Sequence, residues 1–264
     1  MTVREGVLER ARQVVAERLL AQAPYAARRD DIAIVLCGSA VTEYADAYSG
    51  LDFLVLTPGA DRAVAPPPTD GRAQRFRVVA RGLEDLREAA AAGEDEALFL
   101  VRHGVVLHDP HGQATALWAN PPEPPRAVWE AKIASSFHEL RRRRASLAWS
   151  LRRGQPYAVL DGLTQFMGHA LRICFYAEGQ APPPAKWLNG AGLRTSVGKG
   201  LRAPLLDLLS SLGDTAVLGG SLRLSQNRLY QRCARVEAEL ARALRERGFR
   251  PLRAVAKGRA QQKR

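Results

Sequence analysis

The sequence predicts an α+β fold with two parts: a sheet with flanking helices, followed by an all-α bundle. Two apolar, β-branched runs at residues 32–37 and 51–56 have the length of buried strands. Beyond a proline-rich segment at 121–125, the pattern is helical almost throughout. A chain of 264 residues is long enough for two domains. We place these domains at 1–120 and 126–249, with a basic tail at 250–264.

The first domain alternates between helical and strand-like patterns. Apolar residues at helical spacing predict a helix over 3–23, ended by Pro24. After the two strands, a segment rich in Ala, Pro and Gly predicts a surface loop up to Gly71. The segment 108–112 contains two His and an Asp, but its Asp-Pro-x-Gly order favours a turn over a metal site. The remaining predictions are a third strand at 75–80, a helix at 83–104 with a break at 91–95, and a short strand at 105–107.

The second domain is predicted to be a helical bundle. Apolar periodicity predicts helices over 127–153 and 157–178, and two or three more at about 200–213, 214–221 and 223–247. Four consecutive basic residues, Arg141, Arg142, Arg143 and Arg144, fall in the first of these helices. Because they cover more than one helical turn, we favour a solvated face over a phosphate or RNA contact.

Composition excludes several classes of protein. The chain is 46% hydrophobic and 25% charged, as expected for a soluble globular protein. No apolar run approaches the roughly 18 residues that cross a bilayer, and no secretory apolar segment follows the N-terminus. We therefore expect a cytoplasmic protein without a membrane partner. The three cysteines are widely separated, which argues against a disulfide framework or a zinc site.

The formal charge of +12 is unevenly distributed. Residues 1–120 carry 13 basic and 17 acidic side chains, whereas residues 121–264 carry 26 and 10. This excess suggests a polyanionic partner, either nucleic acid or nucleotide phosphates. GC-rich coding is an alternative explanation, because 34 of the 39 basic residues are Arg.

The motif with the most chemical content lies between the first two strands. Gly38 and Ser39 end the first strand, and Ser49, Gly50 and Asp52 lead into the second. A Gly-Ser pair at a strand end presents backbone N–H groups and a hydroxyl that can hold a phosphate. Asp52 could then hold a divalent metal against that phosphate.

This spacing resembles the nucleotidyltransferase fold shared by DNA polymerase beta and the antibiotic-modifying nucleotidyltransferases. The family signature is Gly-Ser, about ten residues, and then Ser-Asp-x-Asp at the start of a strand. The resemblance implies a mixed sheet, a nucleoside triphosphate, Mg²⁺, and transfer of a nucleoside monophosphate to a hydroxyl acceptor, which is not identified. Gly50 stands where the family has the first of its paired carboxylates.

The resemblance implies further changes around the metal ligands. The family takes a third carboxylate from a neighbouring strand, where this chain offers Arg77. Glu43 and Asp46, in the loop between the strands, are weak substitutes as ligands. Asp52 alone could bind one Mg²⁺ but could not assemble two. Three hypotheses follow: a nucleotidyltransferase with a degenerate metal site, an inactive relative that binds nucleotide or nucleic acid, and a basic interaction or scaffold protein.

A second resemblance lies in the helical half. Residues 181–188 read Ala-Pro-Pro-Pro-Ala-Lys-Trp-Leu. They look like a Tyr/Pro-Pro-x-x-Lys-Trp-Leu segment in the helical C-terminal domains of several bacterial nucleotidyltransferase-like families. In those families the domain closes over the sheet, which implies that Lys186 meets a nucleotide phosphate or the acceptor. The alternative is a Lys stem packed near Trp187 with its ammonium group in water.

Overall fold

The computed structural model describes residues 5–43, 45, 49–58, 76–213 and 223–249. The chain divides into two compact units, with the division between Pro124 and Pro125. This division falls within the extended proline-rich segment. Asp46, the loop up to Gly71, the helix expected at 214–221 and the basic tail lie outside the described residues.

The first unit is built on a four-stranded mixed sheet. Its strands are β1 (Ala33–Cys37), β2 (Leu51–Thr57), β3 (Phe76–Gly82) and β4 (Val105–His108), in the order β3-β2-β1-β4. β1 pairs antiparallel with both β2 and β4, whereas β2 and β3 run parallel. With helices flanking this sheet and a helical unit after it, the predicted α+β fold class is confirmed.

Four helices accompany the sheet in the described part of the first unit: α1 (Glu5–Val14), α2 (Leu83–Ala91), α3 (Asp95–His103) and α4 (Gln113–Ala119). A π-helical turn, Val15–Leu19, extends α1, so the first helix ends before the predicted residue 23. The predicted break in 83–104 is confirmed, since Gly93 has a φ of 84° between α2 and α3. Helix α4 is not among the elements predicted from sequence.

The segment after β4 forms the predicted turn. Gly112 has a φ of 69°, and an Asp109 carboxylate oxygen accepts a hydrogen bond of 2.7 Å from the backbone N–H of Thr115. Asp109 therefore satisfies one of the free N–H groups at the start of α4.

Both faces of the central strand are covered. The residues of β1 are all buried, and one face packs with α1 and the π-helical turn through residues such as Leu19 and Ile34. On the opposite face, Val35 lies so close to Gly104 that a Cβ at Gly104 would approach Val35 Cγ1 to 2.9 Å. This two-sided burial explains the uninterrupted apolar run in the sequence.

The second unit is helical in its described part. Its helices are α5 (Arg126–Arg152), α6 (Pro156–Tyr176), α7 (Ala185–Gly192), α8 (Ser196–Ser210) and α9 (Arg228–Glu246). α6 begins with Pro156 at its first position, where the missing N–H costs no hydrogen bond. Thr195 caps α8 by accepting a hydrogen bond of 2.9 Å from Gly198 N. Helix α7 is also not among the predicted elements, and it begins directly after the prolines of 182–184.

Within the described ranges, no helix combines the length and the apolar character needed to cross a bilayer.

Candidate functional site

Asp52 and Arg77 lie side by side on neighbouring strands. Each is the second residue of its strand, and the parallel register of β2 and β3 pairs them directly. Arg77 Nε is 3.3 Å from Asp52 Oδ1. The Arg77 side chain is 72% exposed, whereas that of Asp52 is 27% exposed. A largely accessible guanidinium therefore lies beside the one carboxylate that the motif retains.

Gly38 lies against the same carboxylate. Its φ of 75° falls in the left-handed region, and it is the first residue after β1. A Cβ at this position would be 3.1 Å from both Cβ and Cγ of Asp52, and closer still to Oδ2. Glycine is therefore required here both by the backbone conformation and by the close approach of Asp52.

The Gly-Ser turn is a short 3₁₀-helix, Gly38–Val41. The backbone N–H and the hydroxyl of Thr42 both donate to the Ser39 carbonyl, at 3.1 and 3.0 Å. Ser39 is only 5% exposed, so little of its side chain is open to a ligand. Ser49 and Gly50 are half-buried and precede β2. A ligand at this turn would therefore meet the backbone near Gly38 more readily than the Ser39 hydroxyl.

Cys37 is a buried neighbour that lies just outside the sequence motif. It pairs with Asp52 in the antiparallel register of β1 and β2. Burial raises the pKa of the Cys37 thiol to about 12, with a further increase from Asp52 and an opposing effect of Arg77. The residue is therefore a protonated thiol near neutral pH and is not an activated nucleophile.

Comparison with solved structures identifies the architecture. A crystal structure of a nucleotidyltransferase-like protein from Exiguobacterium sibiricum, at 1.90 Å resolution, matches with a TM-score of 0.50 and 16% sequence identity. The match covers 89% of this chain and 75% of that one. The chain has a nucleotidyltransferase-like fold.

Comparisons of the sequence with protein families and with curated proteins give less information than the structural match. Residues 92–188 match the family described as Domain of unknown function (DUF4037), which is less than half of the chain. The matched stretch begins after β3 and so excludes Asp52 and Arg77. No curated protein matches the chain.

Among the described residues, those around Asp52 do not supply the ligands of a two-metal site. Two neighbouring divalent ions need several oxygen ligands, but the residue paired with Asp52 across the strands is the cationic Arg77. Gly50 contributes no side chain. Within the described residues, no group of three or more His, Cys, Asp and Glu side chains could hold a metal.

The weaker metal candidates have different positions. Asp46 is outside the described residues. Glu43 is exposed and lies in the electrostatic environment of His103. Burial is the main cause that lowers the pKa of His103, Arg102 lowers it further, and Glu43 partly opposes this shift.

Lys186 belongs to the second unit. It is the second residue of α7, it is exposed, and its Nζ lies 5.4 Å from the centre of the Trp187 ring. This arrangement corresponds to the alternative in which Lys186 packs near Trp187.

The four consecutive arginines contact two carboxylates. Arg141 and Arg144, on α5, approach Glu237 of α9 to 3.0 and 2.7 Å. On α5 itself, Glu139 is 2.7 Å from Arg142 and 3.9 Å from Arg143. These arginines therefore have local ionic partners, and two of them connect α5 to α9.

Proposed function

We propose that the first unit binds a nucleoside triphosphate without depending on a metal. In this proposal Arg77 contacts the phosphates, Asp52 orients Arg77, and the backbone turn at Gly38 forms the adjacent wall. The Asp52–Arg77 ion pair is the observation that supports this function best. The nucleotidyltransferase-like fold supports it at the level of the architecture.

The chemistry of guanidinium suits this role. Arginine is always charged near neutral pH, and its planar set of N–H donors can bind phosphate oxygens in pairs. The Nε of Arg77 lies 3.3 Å from Asp52 Oδ1, and 72% of the Arg77 side chain is exposed. Arg77 can therefore keep its contact with Asp52 and still present donors to a phosphate.

A degenerate nucleotidyltransferase is the second candidate. Transfer normally uses metal ions to neutralise charge on the phosphates, and Asp52 is the residue that would bind a single Mg²⁺. The exposure of Arg77 favours this candidate, because an exposed ion pair contributes only about 0–1 kcal/mol and is easily displaced.

Calorimetric titration with ATP, GTP, CTP and UTP in EDTA tests the first candidate. We expect at least one nucleotide to bind, and Arg77→Ala to weaken that binding about tenfold, because a hydrogen bond to a charged group is lost. Arg87→Ala is the matched control, since Arg87 is another exposed arginine of the first unit with a carboxylate partner, Glu84, at 2.8 Å. Equal affinity of the Arg77→Ala variant and the wild type would refute the proposed role.

Asp52→Asn separates the two candidates. If binding is metal-independent, the amide oxygen of the Asn variant can still accept from Arg77 Nε, and loss of the negative charge leaves nucleotide affinity in EDTA unchanged or increases it. If Mg²⁺ binds at Asp52, the same variant loses the Mg²⁺-dependent part of the affinity and any transfer from labelled nucleotide. If no nucleotide binds in either condition, the basic interaction protein becomes the best explanation, and polarisation assays with labelled RNA and DNA then test it.

A further inference from the structure

The second unit contains a cavity that the proposed nucleotide site does not use. Its volume is about 600 Å³, within the range of small-molecule pockets. Residues of α6, α7 and α8 line it, including the polar side chains of Gln165, His169, Arg172 and Asn189. The sequence did not indicate these polar residues as a group, because they lie on two helices, α6 and α7, and form no short motif.

Arg172 is the permanent charge in the cavity wall. No carboxylate occurs among the lining residues, and in the described part of the chain Arg172 forms no ion pair. A Cβ at Gly168 would lie 3.3 Å from a terminal nitrogen of Arg172, so the guanidinium folds back along α6 toward the preceding turn. A half-buried cation that has no carboxylate partner among the described residues favours an anionic ligand.

His169 is a second cationic group when it is protonated. Its Nδ1 is buried and has no hydrogen-bond partner among the described residues. Burial lowers the pKa of His169, and nearby Arg172 of α6 and Arg143 and Arg142 of α5 lower it further, whereas Glu139 of α5 raises it. The imidazole is therefore mainly neutral near pH 7, and an adjacent anion would favour its protonation.

The rest of the wall is largely apolar. It includes Met167, Leu171, Leu188 and Leu209. We propose that the second unit binds a small organic anion, whose carboxylate or phosphate contacts Arg172 and His169 while its apolar body lies between α6, α7 and α8. This proposal is independent of nucleotide binding by the first unit, because none of its residues belongs to that unit.

Calorimetry on the full-length protein tests this with four probes: 1-naphthoate, 1-naphthyl phosphate, the neutral 1-naphthylmethanol, and inorganic phosphate. We expect one or both naphthyl anions to bind at least tenfold more tightly than the neutral analogue. A preference between the carboxylate and the phosphate identifies the anionic group. Tighter binding of inorganic phosphate than of either naphthyl anion would refute the role of the apolar wall.

Two variants test whether the positive charge of the cavity lining binds the anion. Arg172→Met keeps much of the length of the side chain but removes the charge, and we expect it to weaken naphthoate binding about tenfold. Arg202→Met is the control, because Arg202 is exposed on α8 and does not line the cavity. Asn189→Asp is nearly isosteric on an exposed residue and adds a negative charge to the wall, so it should weaken both anions without unfolding the protein.

The pH dependence tests His169. Naphthoate keeps its charge between pH 8 and 6, so tighter binding at the lower pH would report proton uptake by the protein. We expect His169→Gln to remove this dependence. Binding that is equal for the anion and the neutral analogue, or that is unchanged by both Arg172→Met and Asn189→Asp, would overturn the proposal.

Discussion

Replacing Gly38 with Ala tests the close approach between the Gly-Ser turn and Asp52. The φ of 75° costs an L-residue about 1–2 kcal/mol. The new Cβ would also lie 3.1 Å from Cβ and Cγ of Asp52 and would push its carboxylate out of its rotamer, at a further cost of about 0.5–1.5 kcal/mol. We therefore expect Gly38→Ala to destabilise the first unit by about 1.5–3.5 kcal/mol.

Native-state hydrogen exchange of the β1 and β2 amides measures this cost within the first unit. Gly112→Ala is the matched control. Gly112 has a similar φ of 69°, but a Cβ added there would meet no atom within 4 Å, so only the backbone cost of about 1–2 kcal/mol applies. In an Asp52→Ala background the cost of Gly38→Ala should fall toward that of the control, because the contacts with Cγ and Oδ2 are lost and the 3.1 Å contact with Cβ remains. Equal costs for the two glycines in the wild-type background would refute the close-approach argument.

Two further predictions concern the α5–α9 contact and the cysteines. Glu237→Gln should destabilise the second unit by about 1–3 kcal/mol, because the Glu237 side chain is only 12% exposed and faces both Arg141 and Arg144. Chemical denaturation measures this, with the more exposed Glu239→Gln as the control, and a loss no larger than that of the control would contradict it. Burial raises the pKa of all three cysteines to about 12, so iodoacetamide at pH 8 should alkylate the native protein far more slowly than the denatured protein. Rapid native labelling of any one thiol, located by mass spectrometry, would show that its site opens easily. The three thiols are Cys37, Cys174 and Cys233.

The long and strongly patterned elements could be predicted from sequence. The mainly apolar segment 51–56 predicts a strand, and β2 covers Leu51–Thr57, because every residue of the strand except Asp52 is buried. Helices α4 and α7 escape prediction because they have only 7 and 8 residues, about two turns each, which is too short to show a helical period.

The spatial arrangement of the candidate site was harder to predict than its sequence motif. Local pattern indicates that Arg77 lies on the third strand, but its position beside Asp52 depends on the register of two strands that are distant in sequence. Burial of Ser39 was also hidden, since a Gly-Ser pair in sequence does not show which side of the turn faces solvent. The positive φ of Gly38 and its contact with Asp52 required coordinates, although the choice of glycine permitted both.

The charge of the helical half illustrates why composition alone is a weak guide to partners. Residues 121–264 contain 26 basic side chains, and the run Arg141–Arg144 is their densest group. A nucleic acid that bound there would have to compete with Glu237 and Glu139, which already contact all four guanidiniums. Arg172, by contrast, has no basic neighbours in sequence, and the cavity that it lines has no carboxylate among its described residues. For an anionic ligand, whether a cation has a carboxylate partner in the described part of the chain therefore matters more than the number of arginines.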